Sequence, residues 1–409
     1  MLILADKCEV RMNQKMSNGE NMNFNQLGIS ENLIKILKKN GISSPTPIQK
    51  ECIEVIKNGK DVIAEAQTGT GKTLAFLLPI FENISVESKD IQALIITPTR
   101  ELAIQITEEA KKLSAAKDIN ILAAYGGKDV SSQIKKLNKD IHMLIATPGR
   151  LLDHLSRGSI DLSKLKTLVI DEADQMLLMG FKKEVENIIK CTSNIRQTLC
   201  FSATINSEVK KLAYRYTTNP INISIQKETV TLDTIKQELV ITTDRHKQEA
   251  LCQVLNEDNP FMAIIFCRTK VRVDKLEEDL SIKGYNCEKI HSDIPQAKRE
   301  RIMKSFRKAD LQYLIATDVA ARGLDISGVD YIYNYDIPEN AESYIHRIGR
   351  TGRAGQSGYT CMFAAPKDMK TLEEIQEGIK YKIPVREINE EQWAVNSEQW
   401  MKRCYAPLL

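Results

Sequence analysis

The sequence predicts an α/β protein of two tandem domains, each a mostly parallel sheet flanked by helices, and three observations carry that expectation. At 409 residues the chain exceeds one ordinary core, since a domain typically takes about 150 residues. Continuous aliphatic runs recur with room for a helix between them. A polar and β-branched stretch over 224–236 interrupts that rhythm once, after which it resumes. Unbroken apolarity, as opposed to alternation, marks strands buried on both faces, which is the pattern of parallel sheet.

Residues 1–21 lack any pattern and read as a disordered extension, with Met12, Met16 and Met22 available as later starts. Ser30 is placed to cap a first helix that presents Leu33, Ile34 and Leu37 on one face and stops at Gly41. Thr46-Pro47 opens a second, which turns Ile48, Cys52, Val55 and Ile56 inward. Strands are expected at Val62-Ile63-Ala64, Ala93 to Ile96, Met143 to Ala146, Leu168 to Ile170 and Leu199 to Phe201, filling an N-terminal domain over 22–223. After the 224–236 linker, strands at Ala263 to Phe266, Tyr313 to Ala316, Tyr331 to Tyr333 and Tyr359 to Phe363 fill a C-terminal domain over 237–385. In the tail over 386–409, with Trp393 and Trp400, a docked helix and a loose end both stand open.

Composition narrows the function classes. A net charge of +3, from 57 basic against 54 acidic residues, gives no global field for a polyanion. Any nucleic-acid site is therefore a local groove. Nine cysteines without a CxxC pair exclude a zinc knuckle and suit a reducing cytosol, with Cys267 and Cys361 acting as small buried hydrophobes. The apolar opening Met1 to Ala5 meets Asp6 and Lys7 at once, too short for a signal peptide or a membrane span.

The chemistry begins at Ala66-Gln67-Thr68-Gly69-Thr70-Gly71-Lys72-Thr73, which follows one expected strand and opens a helix. Glycines let backbone N–H groups wrap phosphate oxygens, Lys72 reaches the outer phosphates, and the Thr73 hydroxyl can hold magnesium. The usual first glycine of this loop is Ala66 here. Asp171-Glu172-Ala173-Asp174 closes a second aliphatic run. Taken alone, these acids suit a solvated turn as well as a metal site. With the phosphate loop upstream, Asp171 is placed to bind Mg2+ directly or through its water shell, and Glu172 to align the attacking water. His346-Arg347-Ile348-Gly349-Arg350-Thr351-Gly352-Arg353 supplies cations, with Arg350 and Arg353 spaced as one helical turn to clamp a γ-phosphate.

Further motifs follow in order: Pro45-Thr46-Pro47-Ile48-Gln49, Pro98-Thr99-Arg100-Glu101-Leu102, Gly126-Gly127, Thr147-Pro148-Gly149-Arg150, Ser202-Ala203-Thr204, Phe266-Cys267-Arg268-Thr269, Gln296 with Arg299, and Ala316-Thr317-Asp318 through Asp325. From about Phe24 to about Pro384 the chain resembles a DEAD-box ATP-dependent RNA helicase of superfamily 2, bacterial type. The resemblance implies two RecA-like domains with the ATP and RNA sites in the cleft between them. It assigns Gln49 to the adenine edge with Phe24 supporting that pocket, Gly323 and Asp325 to the ribose, and Arg350 and Arg353 to the role of arginine fingers. Ile42 stands where many members carry an aromatic beside the adenine.

RNA contacts are implied at Pro98, Thr99, Arg100, Gly126, Gly127, Thr147, Gly149 and Arg150, and at Arg268, Arg299 and Thr317. Such a set grips the backbone without reading bases. A turn-forming role is an equal alternative for any single glycine or threonine among them. Asp174, Ser202, Thr204 and His346 are implied to couple the two sites, while Ser202 and Thr204 could equally cap the following helix. Ser292, between His291 and Asp293, replaces a common glycine. The expected function is RNA-stimulated ATP hydrolysis coupled to local, non-processive unwinding of short duplexes or remodelling of RNA–protein complexes, by a cytoplasmic monomer whose protein partners act in ribosome assembly or RNA decay. An ATP-gated RNA clamp and a DNA translocase are the alternatives.

Overall fold

The structure is a computed structural model and describes residues 22–67, 69–127, 140–225, 235–321, 329–351 and 358–388. The chain divides into two compact units, residues 1–227 and 228–409.

In the first unit, helices α1 (Glu31–Lys39) and α2 (Pro47–Lys57) precede β1 (Val62–Glu65), α3 (Lys72–Asn83), β2 (Ala93–Ile96), α4 (Arg100–Ser114) and β3 (Ile121–Ala124). Next come β4 (Met143–Ala146), α5 (Pro148–Ser156), β5 (Thr167–Ile170), α6 (Ala173–Leu178), α7 (Lys182–Lys190), β6 (Gln197–Ser202), α8 (Ser207–Tyr216) and β7 (Ile221–Ser224). The sheet runs β3-β4-β2-β5-β6-β1-β7, and every pairing is parallel. Strand side chains alternate between two buried layers. Val62, Ala93, Ile95 and Val169 join the layer under α1 to α4, whereas Ile63, Leu94, Ile96 and Ile170 join the layer under α5 to α8. Burial on both faces explains why these strands read as unbroken apolar runs. Ser30 stands at the cap position of α1 without a capping bond from its own hydroxyl; its backbone N–H donates to Glu82 instead. Gly41, at φ +79°, ends that helix in the left-handed conformation.

The second unit repeats the plan with β8 (Ile235–Ile241), α9 (Lys247–Asp258), β9 (Ala263–Cys267), α10 (Lys270–Ile282), β10 (Cys287–Ile290) and α11 (Gln296–Arg307). β11 (Tyr313–Thr317), α12 (Asp318–Ala321), β12 (Tyr331–Asn334), α13 (Ala341–Ile348), β13 (Gly358–Ala364) and α14 (Met369–Ile379) complete it. Its order is β10-β11-β9-β12-β13-β8, again parallel throughout.

Four strands were not expected from the sequence: β3, β7, β8 and β10 are the outermost strands of the two sheets. An edge strand is covered less completely, so its residues mix burial classes; β7, β8 and β10 interleave polar residues, while β3 reads Ile-Leu-Ala-Ala and is apolar throughout yet only alternately buried. Ser224 ends β7, and Ile235 and Lys236 begin β8, so sheet residues occupy both margins of the 224–236 stretch expected as linker. Arg386, expected to begin the tail, is part of the second unit. Its N–H donates to Leu239 O and its guanidinium to Glu257, Asp258 and the Tyr359 hydroxyl, while Leu239 N–H donates to Pro384 O along the outer edge of β8. Ile388 packs on the same core, and the rest of the tail, with Trp393 and Trp400, lies outside the described residues. Residues 1–21 likewise lie outside them.

Candidate active site

The phosphate loop hangs between β1 and α3. Ala66 N–H donates to Ser202 O, tying the start of the loop to β6, and the Thr70 hydroxyl donates to Gln67 O at 2.7 Å. Gly69 and Gly71 adopt φ of +86° and +93°, conformations that side chains resist. A Cβ on Gly71 would also lie 2.5 Å from Gln49 Nε2. Gln49 itself is buried: its Oε1 accepts Thr46 N–H and its Nε2 donates to Gly71 O, both at 3.0 Å. The residue expected to read adenine therefore also braces the loop, retaining one donor and one acceptor capacity. Phe24 is buried in the apolar layer under α1 to α4, where the half-buried Ile42 packs as well.

Lys72 is 6% exposed, and its Nζ has no hydrogen-bond partner among the described residues. A buried ammonium without a hydrogen-bond acceptor is costly, and the charge within its reach is that of Asp171, so Lys72 keeps its donors for a further acceptor. Thr73 follows it in the first turn of α3.

Asp171 and Glu172 stand at the carboxyl end of β5. Burial pushes the Asp171 pKa above the ordinary carboxylate value, the Lys72 charge and the Glu172 N–H pull it back, and Asp174 adds to the rise. Glu172 N–H donates to Asp171 Oδ1 at 2.9 Å. Glu172 has φ +50°, an uncommon conformation for a residue with a side chain, and this turn directs the chain into α6.

Asp174 is 1% exposed and engages both members of the Ser-Ala-Thr motif. Its N–H donates to Ser202 Oγ at 3.2 Å, and its Oδ2 accepts the N–H and hydroxyl of Thr204 at 3.2 and 3.1 Å. The alternative reading of Ser202 and Thr204 as helix caps fails, because Asn206 caps α8 by accepting from Glu208 and Val209.

The first-unit RNA candidates follow three other strands. Pro98, Thr99 and Arg100 follow β2, Gly126 and Gly127 follow β3, and Thr147, Gly149 and Arg150 follow β4. The sheet order sets β5, β6 and β1, followed by the acids, the Ser-Ala-Thr motif and the glycine loop, beside β3, β4 and β2, followed by the residues expected to contact RNA. Ligands of open parallel sheets bind outside the carboxyl ends of the strands. The glycines differ in what the fold asks of them. Gly127 needs its φ of +85°, and a Cβ on Gly126 would meet Arg100 Nη2 at 2.8 Å. Gly149 lies in α5, and a Cβ there would meet nothing within 4 Å. Thr99 caps α4 through its hydroxyl, and Arg150 Nε lies 4.0 Å from Asp153.

In the second unit Arg268 follows β9 and Thr317 ends the adjacent β11, while Arg299 is buried in α11. Arg268 N–H donates to Asp336 Oδ2 at 2.9 Å and its Nη2 to Ile337 O at 3.2 Å. Asp336 had no signal in the sequence. His346 belongs to α13, which ends at Ile348, so Arg350 lies past the helix. Arg350 is 7% exposed. Thr68, Gly323, Asp325 and Arg353 lie outside the described residues.

Residues 46–212 match the DEAD/DEAH box helicase family and residues 246–355 the helicase conserved C-terminal domain. The chain belongs to the DEAD/DEAH box helicase family, and its two parallel-sheet units are the RecA-like domains of that family. It is similar to an ATP-dependent RNA helicase CshA of Limosilactobacillus reuteri, 48% identical over 355 residues, covering 87% of this chain and 71% of the relative. A DEAD-box ATP-dependent RNA helicase CshA of Geobacillus kaustophilus is 44% identical over 360 residues, covering 88% and 77% respectively. Among solved structures, S. cerevisiae Dbp5 bound to RNA and ADP BeF3 matches with a TM-score of 0.81 at 28% identity, covering 95% of this chain and all of that one. Mss116p bound to ssRNA and AMP-PNP matches with a TM-score of 0.81 at 31% identity, covering 92% and 82%.

Proposed function

We propose that the chain is an ATP-dependent RNA helicase whose RNA-stimulated ATP hydrolysis drives local, non-processive opening of short duplexes. The observation that carries this reading is the buried Lys72 Nζ, without a hydrogen-bond partner among the described residues, in a glycine loop on the sheet edge that also carries Asp171 and Glu172. Relatives named as RNA helicases, and neighbours solved with RNA and ATP analogues, support it.

In this proposal Gln67 to Thr73 cradle the phosphates, Lys72 supplies the charge they need, and Gln49 holds the loop while its remaining capacity reads adenine. Glu172 aligns and deprotonates the attacking water. Thr73 and Asp171 fit Mg2+, for a hydroxyl and a carboxylate are the hard oxygen donors this ion takes; when bound, it would neutralise phosphate charge. Arg350 and Arg353 stabilise the transferred phosphoryl group. Asp174, bridged to Ser202 and Thr204, passes the state of the acids to β6, with His346 as a second coupling residue. RNA is gripped through its backbone by the first-unit candidates together with Arg268, Arg299 and Thr317, without sequence preference. Among the described residues no helix is long and apolar enough to cross a membrane.

The test is steady-state ATP hydrolysis with and without single-stranded RNA, beside displacement of a short RNA duplex. Lys72→Ala and Glu172→Gln are expected to leave roughly a hundredth or less of the RNA-stimulated rate. Near-wild-type turnover in either variant would refute the mechanism, and hydrolysis without strand displacement would favour an RNA clamp.

A further inference from the structure

Arg347 lies in the cationic motif, yet its surroundings give it a different task from its neighbours. It is 2% exposed. Its Nε and Nη2 donate to the two carboxylate oxygens of Asp318 at 2.6 and 2.7 Å, and its Nη1 donates to Asn334 Oδ1 at 3.0 Å and to Asp336 O at 2.7 Å. The guanidinium carbon stands 5.1 Å from the centroid of the Phe266 ring. Four of its five N–H donors are engaged within the second unit and one face lies against an aromatic ring, so the guanidinium is held mainly by the fold.

The positions of its partners are informative. Arg347 is on α13, one residue after His346 and three before Arg350. Asp318 opens α12 immediately after Thr317, the last residue of β11. A small cavity lined by Phe266, Asp318, Ala321, Ser343, His346 and Arg350 lies alongside the pair. A buried ion pair is a weak source of stability, because desolvation offsets its attraction. A planar, bidentate guanidinium does fix orientation closely.

We propose that Arg347 is a positioning residue: through Asp318 it locks the helix carrying His346, with Arg350 just beyond it, to the strand end carrying Thr317. The second unit's phosphate-directed and RNA-directed groups then move as one rigid part. The proposal rests on the helicase reading above and concerns geometry alone, since the partners of Arg347 are Asp318, Asn334 and Asp336 of its own unit.

The experiment is a double-mutant cycle on the full chain with Asp318→Asn, Arg347→Gln and the double variant. kcat and RNA half-saturation are measured well below each protein's melting temperature. Each single variant is expected to lower kcat and raise RNA half-saturation by about tenfold each, the scale on which a small displacement of catalytic groups acts. The double variant is expected to be no worse than the poorer single one, because the groups act as a unit. Additive losses overturn the proposal, as does a lower kcat with unmoved RNA half-saturation, which is what a mere loss of folded protein produces. Asp318→Asn keeps an acceptor for Arg347 and carries the test alone if Arg347→Gln does not fold. Absence of RNA stimulation in the wild-type protein would instead overturn the helicase reading, and this proposal with it.

Discussion

Gly149→Ala separates what the fold needs from what RNA needs. Gly149 is the second residue of α5, and a Cβ there meets no atom within 4 Å. Replacing glycine by alanine at a position whose backbone alanine can adopt gains about 0.5 kcal/mol. For a unit of about 200 residues this corresponds to a rise of about 1 to 2 °C in Tm. If the bare backbone exists so that an RNA phosphate can approach, the new methyl group displaces that phosphate, and loss of one such contact weakens binding by about tenfold. The variant is thus expected to be slightly more stable and a poorer RNA binder, a combination that damage to the fold cannot produce. The assay is fluorescence anisotropy on a short single-stranded RNA with an ATP analogue present, beside a thermal melt. Gly127→Ala is the contrast: at φ +85° its added side chain costs about 1 to 2 kcal/mol of stability. Unchanged RNA affinity in Gly149→Ala, or a lowered Tm, would refute the reasoning.

Arg350→Ala is expected to retain nucleotide binding in a fluorescent-nucleotide titration while RNA-stimulated turnover falls by about 10³, the scale of an arginine finger; unchanged turnover would remove that role. Arg386→Ala deprives Glu257, Asp258 and Tyr359 of a shared donor. It is expected to destabilise the second unit by about 2 to 4 kcal/mol, read as a shift of its denaturant midpoint. Burial lowers the His154 pKa, with Arg150 acting in the same direction and Asp153 against it. The folded protein therefore keeps His154 neutral where the unfolded chain takes up a proton. Its contribution is intact above the unfolded value near 6.5 and is lost as pH falls below it. The slope of stability against pH below that value should flatten in His154→Gln, and an unchanged slope would contradict this.

The strand, glycine loop and helix of the expected phosphate site were legible because they are local in sequence. A strand, a glycine turn and a helix N-terminus within a dozen residues fix one another, as Val62 to Thr73 illustrates. The central strands were legible for a related reason: burial on both faces leaves only aliphatic residues acceptable. β3, Ile-Leu-Ala-Ala, is apolar and was overlooked, whereas at β7, β8 and β10 that constraint relaxes, so the composition no longer distinguishes a strand from a loop. The linker margins and the place of Arg386 were misread for the same reason, since both depend on β8.

By itself, then, the sequence determined that there are two parallel-sheet units and that a glycine loop joins the first strand to a helix, because those properties rest on continuous burial and on short-range backbone geometry. Only the tertiary structure decided which of the motif residues serve the fold and which are left over for ligands. Asn206, rather than Ser202 or Thr204, caps α8; Gly127 is required by its backbone conformation, whereas Gly149 is not; and Arg347 is held by Asp318, Asn334 and Asp336. The physical reason is that hydrogen-bond capacity and free space are set by partners far away in sequence, which the parallel crossovers bring together.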